Sequence, residues 1–183
     1  MNYDILTAGT GGQGVLTTGV FLAKIAILEK KQVTWLPSYG AEKRGGFSFC
    51  DVVISDEEIF SPMVETPDSI MVFDQRAYDN YKSKISEKTV VISNSSLTKI
   101  DSVCPGKVLE IPASDMAARL KFPRALNIIM TGAFMHASGV LEEKSAYSII
   151  EEMMKGKDEE FLEKNILAYR AGIKAAKEII SGK

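Results

Sequence analysis

Cysteine, histidine and tryptophan are scarce in this 183-residue chain, at two, one and one. Two thiols, Cys50 and Cys104, fall short of a four-cysteine zinc or iron–sulfur site. With His136 as the one imidazole, a Cys–His nucleophile has a single possible base. An isolated cysteine pair favours reduced thiols over a disulfide. Cys50 reads as a small core residue in an apolar run, and Cys104, before Pro105-Gly106, as part of a turn. No apolar run nears the ~18 residues that span a membrane, and no basic-then-apolar leader opens the chain. A cytoplasmic protein is expected. There is no excess of base either: 22 Lys and Arg stand against 24 Asp and Glu, giving a net charge of −2. A nucleic-acid-coating surface is therefore not expected.

What is present is ordinary globular material, 45% hydrophobic and 25% charged, arranged with clear changes of period. Asp4–Ala8 is a strand candidate ending in glycines, Val15–Glu29 repeats at helical spacing, and Gln32–Leu36 is β-rich up to Pro37-Ser38. That strand–glycine loop–helix–strand unit has the length of one parallel crossover. Phe47–Ser55, Ser69–Asp74, Thr89–Asn94 and Lys107–Ile111 supply further strands, with room for a short helix between 74 and 88. Helices are predicted over about 115–121, 125–137 and 143–155. A last one runs from about Asp158, with Leu162, Ile166, Tyr169, Ile173, Ala176 and Ile180 on one seam. Gly172 inside it costs about 1 kcal/mol relative to alanine unless close packing requires it. The expectation is one α/β domain over 1–183, Rossmann-like and three-layered, with a mostly parallel sheet.

Two motifs bear on chemistry. Gly9-Thr10-Gly11-Gly12-Gln13-Gly14 fits G-x-G-x-x-G after a strand and before a helix. There, glycines admit close backbone approach and the helix start offers free N–H groups to an anion. The alternative is that the glycines only pack helix on sheet. A nicotinamide dinucleotide site also needs an acid at the end of the second strand. Glu29 comes too early and reads as a surface charge, and Leu36-Pro37-Ser38 offers no acid. The second motif, Ser38-Tyr39-Gly40-Ala41-Glu42-Lys43-Arg44-Gly45-Gly46, follows a strand end. Arg44 suits a carboxylate or phosphate held bidentately, with Glu42 orienting it, or the two form a solvated ion pair. Asn127 is open between a cap and a ligand contact, and Asp74 reads as a helix cap. His136 reads as a hydrogen-bonded structural histidine, and most methionines as core or interface filler.

Together the two motifs resemble the gamma subunit of 2-oxoacid:ferredoxin oxidoreductases. The branch that acts on 2-oxoglutarate is the nearer, since it shows Ser-Tyr-Gly-x-Glu-x-Arg-Gly-Gly at this point. Ile54-Ser55-Asp56-Glu57, Ser61-Pro62, Asn127 and Thr131-Gly132-Ala133 extend the resemblance along the chain, while Lys43 and Phe47-Ser48-Phe49 depart from it. The resemblance implies a complex that decarboxylates a 2-oxoacid, passes electrons singly to ferredoxin and releases an acyl-CoA. Thiamine diphosphate, Mg²⁺ and iron–sulfur clusters would belong to partners: thiamine-diphosphate-binding alpha and beta subunits and a ferredoxin-like delta subunit. No catalytic residue or metal site is expected in this chain, which would be inactive alone. Its implied part is assembly and the admission of coenzyme A, with Gly9, Gly11, Gly12, Gln13, Gly14, Ser38, Tyr39, Glu42, Arg44, Gly45, Gly46 and Asn127 as contact residues. A stand-alone NAD(P)- or flavin-binding reductase and a non-catalytic assembly module remain the alternatives.

Overall fold

Strands rich in apolar residues demand cover on both faces, and here they receive it. A computed structural model describes residues 1–40 and 45–182. Six strands form one sheet: β1 (Asn2–Thr10), β2 (Gln32–Tyr39), β3 (Phe47–Ser55), β4 (Ser69–Val72), β5 (Val90–Asn94) and β6 (Lys107–Ile111), in the order β2-β3-β1-β4-β5-β6. β1, β4, β5 and β6 are parallel, and β3 lies antiparallel between β1 and β2. The helices are α1 (Val15–Leu28), α2 (Gln75–Tyr81), α3 (Ala113–Arg119), α4 (Leu126–Ser138), α5 (Ser145–Met153) and α6 (Glu159–Ile180). One apolar core joins α1 and α3–α6 to one sheet face, and a smaller one joins α2 to the other. The mostly parallel α/β architecture is as expected from the sequence.

The crossover reading holds, whereas others need correction. The crossover from β1 through α1 does reach a parallel strand, but β3 is inserted between β1 and β2. Periodicity marks strands without ordering them. Pro37 does not stop β2, which runs on to Tyr39. The Gly40 N–H donates to the Phe47 carbonyl at 2.9 Å, which sets the phase of the β2–β3 ladder. Even-numbered residues of β2 bond to β3, and the Pro37 nitrogen faces the open edge, where no N–H is needed.

The α6 seam holds except at its end and is wider than the sequence reading, with Leu162, Ile166, Tyr169, Ile173 and Ala176 all packed on the core. Asn165, Ala168, Tyr169, Gly172 and Ala176 are the buried positions, whereas Ile180 is exposed. Gly172 is needed where α6 crosses α4. A Cβ there would collide with the Ile129 carbonyl oxygen, and one at Gly132 with the Tyr169 carbonyl oxygen. The two helices meet backbone to backbone.

The polar residues outside the motifs serve the fold. Cys50 is buried beneath α1, its Sγ 3.0 Å from Thr7 Oγ1, and burial pushes its thiol up. Cys104 packs under α2 on the opposite face, and both thiols are free. His136 Nδ1 lies 2.7 Å from Glu143 Oε1. Glu29 is more than a surface charge, because its Oε1 accepts the Glu142 N–H at 2.8 Å and ties the end of α1 to the approach to α5.

Candidate functional site

The glycine loop leaves β1 and turns into α1 through Gly14, whose φ of 82° is left-handed. A side chain is excluded there twice over. The conformation disfavours L-residues, and a Cβ would lie 2.8 Å from Asn127 Cβ. Asn127, in the first turn of α4, is thus a buried wall behind Gly14. No side chain caps α1 and its first turn holds no acid. The first N–H groups of a helix have no acceptor within it and carry its positive dipole end. They are available to an anion.

They open onto a cleft of about 670 Å³. One wall is Gly11, Gly12, Gly14, Val15, Leu16 and Thr17. The other is Tyr39 and Gly40 at the end of β2, with Gly45, Gly46, Phe47 and Ser48 at the start of β3. A 2.7 Å bond from the Gly11 N–H to the Gly46 carbonyl joins the walls. None of these lining residues is acidic or basic. Backbone and small side chains dominate, as a cradle for a phosphate requires.

The structure therefore gathers Gly11, Gly12, Gly14, Tyr39, Gly45 and Gly46 of the predicted contact residues around one cavity. Four others stand elsewhere. Gly9 is a packing residue, because a Cβ there would lie 2.7 Å from Phe73 Cβ. Gln13 turns back on its own loop, its Oε1 accepting the Thr10 N–H at 2.8 Å. Ser38 shares a sheet face with its partner Phe49, away from Tyr39. Asn127 braces Gly14 and is not among the lining residues. Glu42 and Arg44 lie outside the described residues. Sequence reasoning missed Val15, Leu16, Thr17, Gly40, Phe47 and Ser48 as lining residues, which enter because α1 and β3 begin and β2 ends at this end of the sheet. Position beside a glycine turn was their only signal.

A further polar contact ties the end of β1 to the start of α2 beside the glycine loop. The chain leaves β1 towards α1 on one face, and leaves β4 towards α2 on the other. The crevice between diverging crossovers is where doubly wound folds place a dinucleotide. Here Asp74 occupies it. Its Oδ2 accepts the Thr10 N–H at 2.9 Å, and its Oδ1 caps α2 through the Ala77 N–H at 3.0 Å. The ribose acid is missing from the end of β2, so the nicotinamide dinucleotide reading lacks the contact that would select it.

Comparison with known proteins identifies the family. Residues 4–175 match the pyruvate ferredoxin/flavodoxin oxidoreductase family. The 2-oxoglutarate synthase subunit KorC of Methanocaldococcus jannaschii is 37% identical, with 98% of this chain and 96% of that one covered. The ketoisovalerate oxidoreductase subunit VorA of Methanothermobacter thermautotrophicus is 35% identical over 96% of this chain, but only 36% of that longer one. The solved 2-oxoglutarate:ferredoxin oxidoreductase of Magnetococcus marinus, with 2-oxoglutarate, coenzyme A and succinyl-CoA bound, superposes with a TM-score of 0.90 at 26% identity. It covers 96% of this chain and 31% of that one. The chain belongs to the pyruvate ferredoxin/flavodoxin oxidoreductase family, as a gamma subunit of a 2-oxoacid:ferredoxin oxidoreductase.

Proposed function

We propose that the oxoacid is 2-oxoglutarate and that this subunit admits and orients coenzyme A. All of residues 1–183 act as one domain of a cytoplasmic complex with thiamine-diphosphate-binding alpha and beta subunits and a ferredoxin-like delta subunit. The complex converts 2-oxoacid and coenzyme A to acyl-CoA and CO₂, and two electrons pass singly to ferredoxin. Decarboxylation and electron transfer belong to the partners' thiamine diphosphate and iron–sulfur clusters. What this chain offers is a place for phosphate.

The observation that carries the reading is the uncapped start of α1, open to a cleft with no carboxylate among its described lining residues. A ligand bearing several phosphates, such as coenzyme A, gains from the helix dipole and from backbone N–H donors there. Gly11, Gly12, Gly14, Tyr39, Gly45 and Gly46 are the contacts, with Gly9, Gln13 and Asn127 holding the loop in shape. Arg44, guided by Glu42, adds a bidentate cation. The test is calorimetric titration of coenzyme A and steady-state kinetics on the reconstituted complex with Arg44→Ala. The KM for coenzyme A is expected to rise at least about tenfold, as for one lost charged hydrogen bond, with the KM for 2-oxoglutarate unchanged. An unaltered response to coenzyme A removes that role.

A further inference from the structure

The two edges of the sheet are guarded differently. β6 is five residues long and carries Lys107 and Glu110. A short, charged strand is an ordinary defence against pairing with a foreign chain. β2, at the other edge, has eight residues and no charge among them. Its Trp35 and Leu36 are each 38% exposed and its Tyr39 is 73% exposed. From the phase of the β2–β3 ladder, the main-chain groups of Val33, Trp35, Pro37 and Tyr39 point away from β3. Among the described residues, none of these groups is paired. The edge offers the N–H groups of Val33, Trp35 and Tyr39 and the carbonyls of all four.

We propose that β2 is a docking edge, on which an extended segment of the thiamine-diphosphate-binding partner adds as a seventh strand. This rests on the chain working as a subunit of that complex. Two observations select the occupant. The region matching this chain makes up 36% of the VorA chain and 31% of the Magnetococcus chain. A domain of this kind is thus built alongside a larger body in a single polypeptide. Pro37 disfavours the other candidate, a second copy. Two β2 strands paired about a two-fold axis would meet the missing Pro37 donor twice near their centre, whereas a foreign strand meets it once. The edge is also continuous with the cleft, because Tyr39 and Gly40 line it. A strand added to β2 becomes part of the cleft's rim.

Amide hydrogen exchange on the isolated chain and on the reconstituted complex tests the proposal. The amides of Val33, Trp35 and Tyr39 are expected to slow at least about tenfold on assembly, while those of Thr34, Leu36 and Ser38, already in the ladder, change little. Val33→Pro removes one outward donor without touching a β2–β3 bond, and is expected to weaken assembly at least about tenfold with the melting temperature of the free chain retained. Where that variant does not fold, the exchange pattern of the unaltered chain decides. Assembly without slowing at the three amides overturns the docking edge alone. Slowing in the isolated chain that grows with its concentration also overturns it, by making a second copy the occupant. Failure to assemble under any condition overturns the subunit reading and this proposal together.

Discussion

The two faces of the sheet hold together by different means. On the α1 face, five of the six helices pack, and their backbones approach as far as glycine allows: α4 on α6 through Gly132 and Gly172, and α1 on β2 and β3 through Gly19, where a Cβ would strike Cys50 and Trp35. On the α2 face a single helix covers a smaller core. Phe47, Phe49 and Tyr81 cluster there with ring centroids 5.5–6.3 Å apart, and the Arg76 guanidinium sits 5.1 Å over Phe47. The chain between β3 and β4 is strapped down by hydrogen bonds, with Asp51 Oδ2 taking the Val64 N–H at 3.2 Å and Lys84 Nζ giving to the Val64 carbonyl at 2.6 Å. The first face depends on shape, the second on polar contacts. Shape is intolerant of added atoms, and polar contacts respond to charge and pH.

The sharpest way to break the contrast is Gly172→Ala. On an exposed helix this change gains about 1 kcal/mol of propensity. At the crossing its Cβ meets the Ile129 carbonyl, and the expected result is a net loss of about 3 kcal/mol or more, because overpacking here presses on backbone. Denaturant unfolding of the free chain measures it, and a stabilised variant would contradict the close crossing. Gly14→Ala comes next. The left-handed φ costs about 1–2 kcal/mol, and contact with Asn127 adds to it.

Thr17→Glu probes the cleft between the two faces with a smaller effect. Thr17 is exposed in the first turn of α1, where a carboxylate favours the helix dipole by about 0.3–1 kcal/mol. The same charge faces the incoming phosphates. The melting temperature is expected to hold or rise while the KM for coenzyme A increases. Parallel losses in both would mean that Thr17 matters only to folding.

The sequence exposed the elements better than their neighbours. Strand and helix periods placed nearly every element within a few residues, since local burial writes itself into spacing. The insertion of β3 between β1 and β2 was illegible, because antiparallel pairing across the intervening residues leaves no local mark. Pro37 misled for a related reason: whether a proline ends a strand depends on which way its nitrogen faces, and only an edge allows β2 to continue. In the site, the glycines announced the cleft but not the division of labour. Gly12 lies open, while Gly9, Gly11 and Gly14 are hemmed in by Phe73, Gly46 and Asn127, residues far away in the chain. Asp74 was readable as a cap from its place before a helix, yet its second bond, to Thr10, needed β1 and β4 to be neighbours.

Asp51→Asn sharpens the comparison from the α2 face, with the smallest expected change and the opposite sign. Asp51 is 6% exposed, and burial raises its carboxyl above the usual carboxylate range despite the opposing Val64 N–H and the nearby Lys84. Its second oxygen has no partner among the described residues. The folded state thus binds this proton more tightly than the unfolded chain does. Stability from this group is full below the ordinary carboxylate pKa and is lost as pH rises through that value to the raised folded one. At neutral pH the aspartate is a buried charge held at a cost. Asparagine keeps an oxygen for the Val64 N–H and carries no charge, so the variant is expected to melt higher at pH 7 and to match the parent near pH 4. A lower melting temperature at pH 7 would show the ion attracting Lys84 more strongly than burial opposes it, and the α2 face would then depend on charge pairing where the α1 face depends on fit.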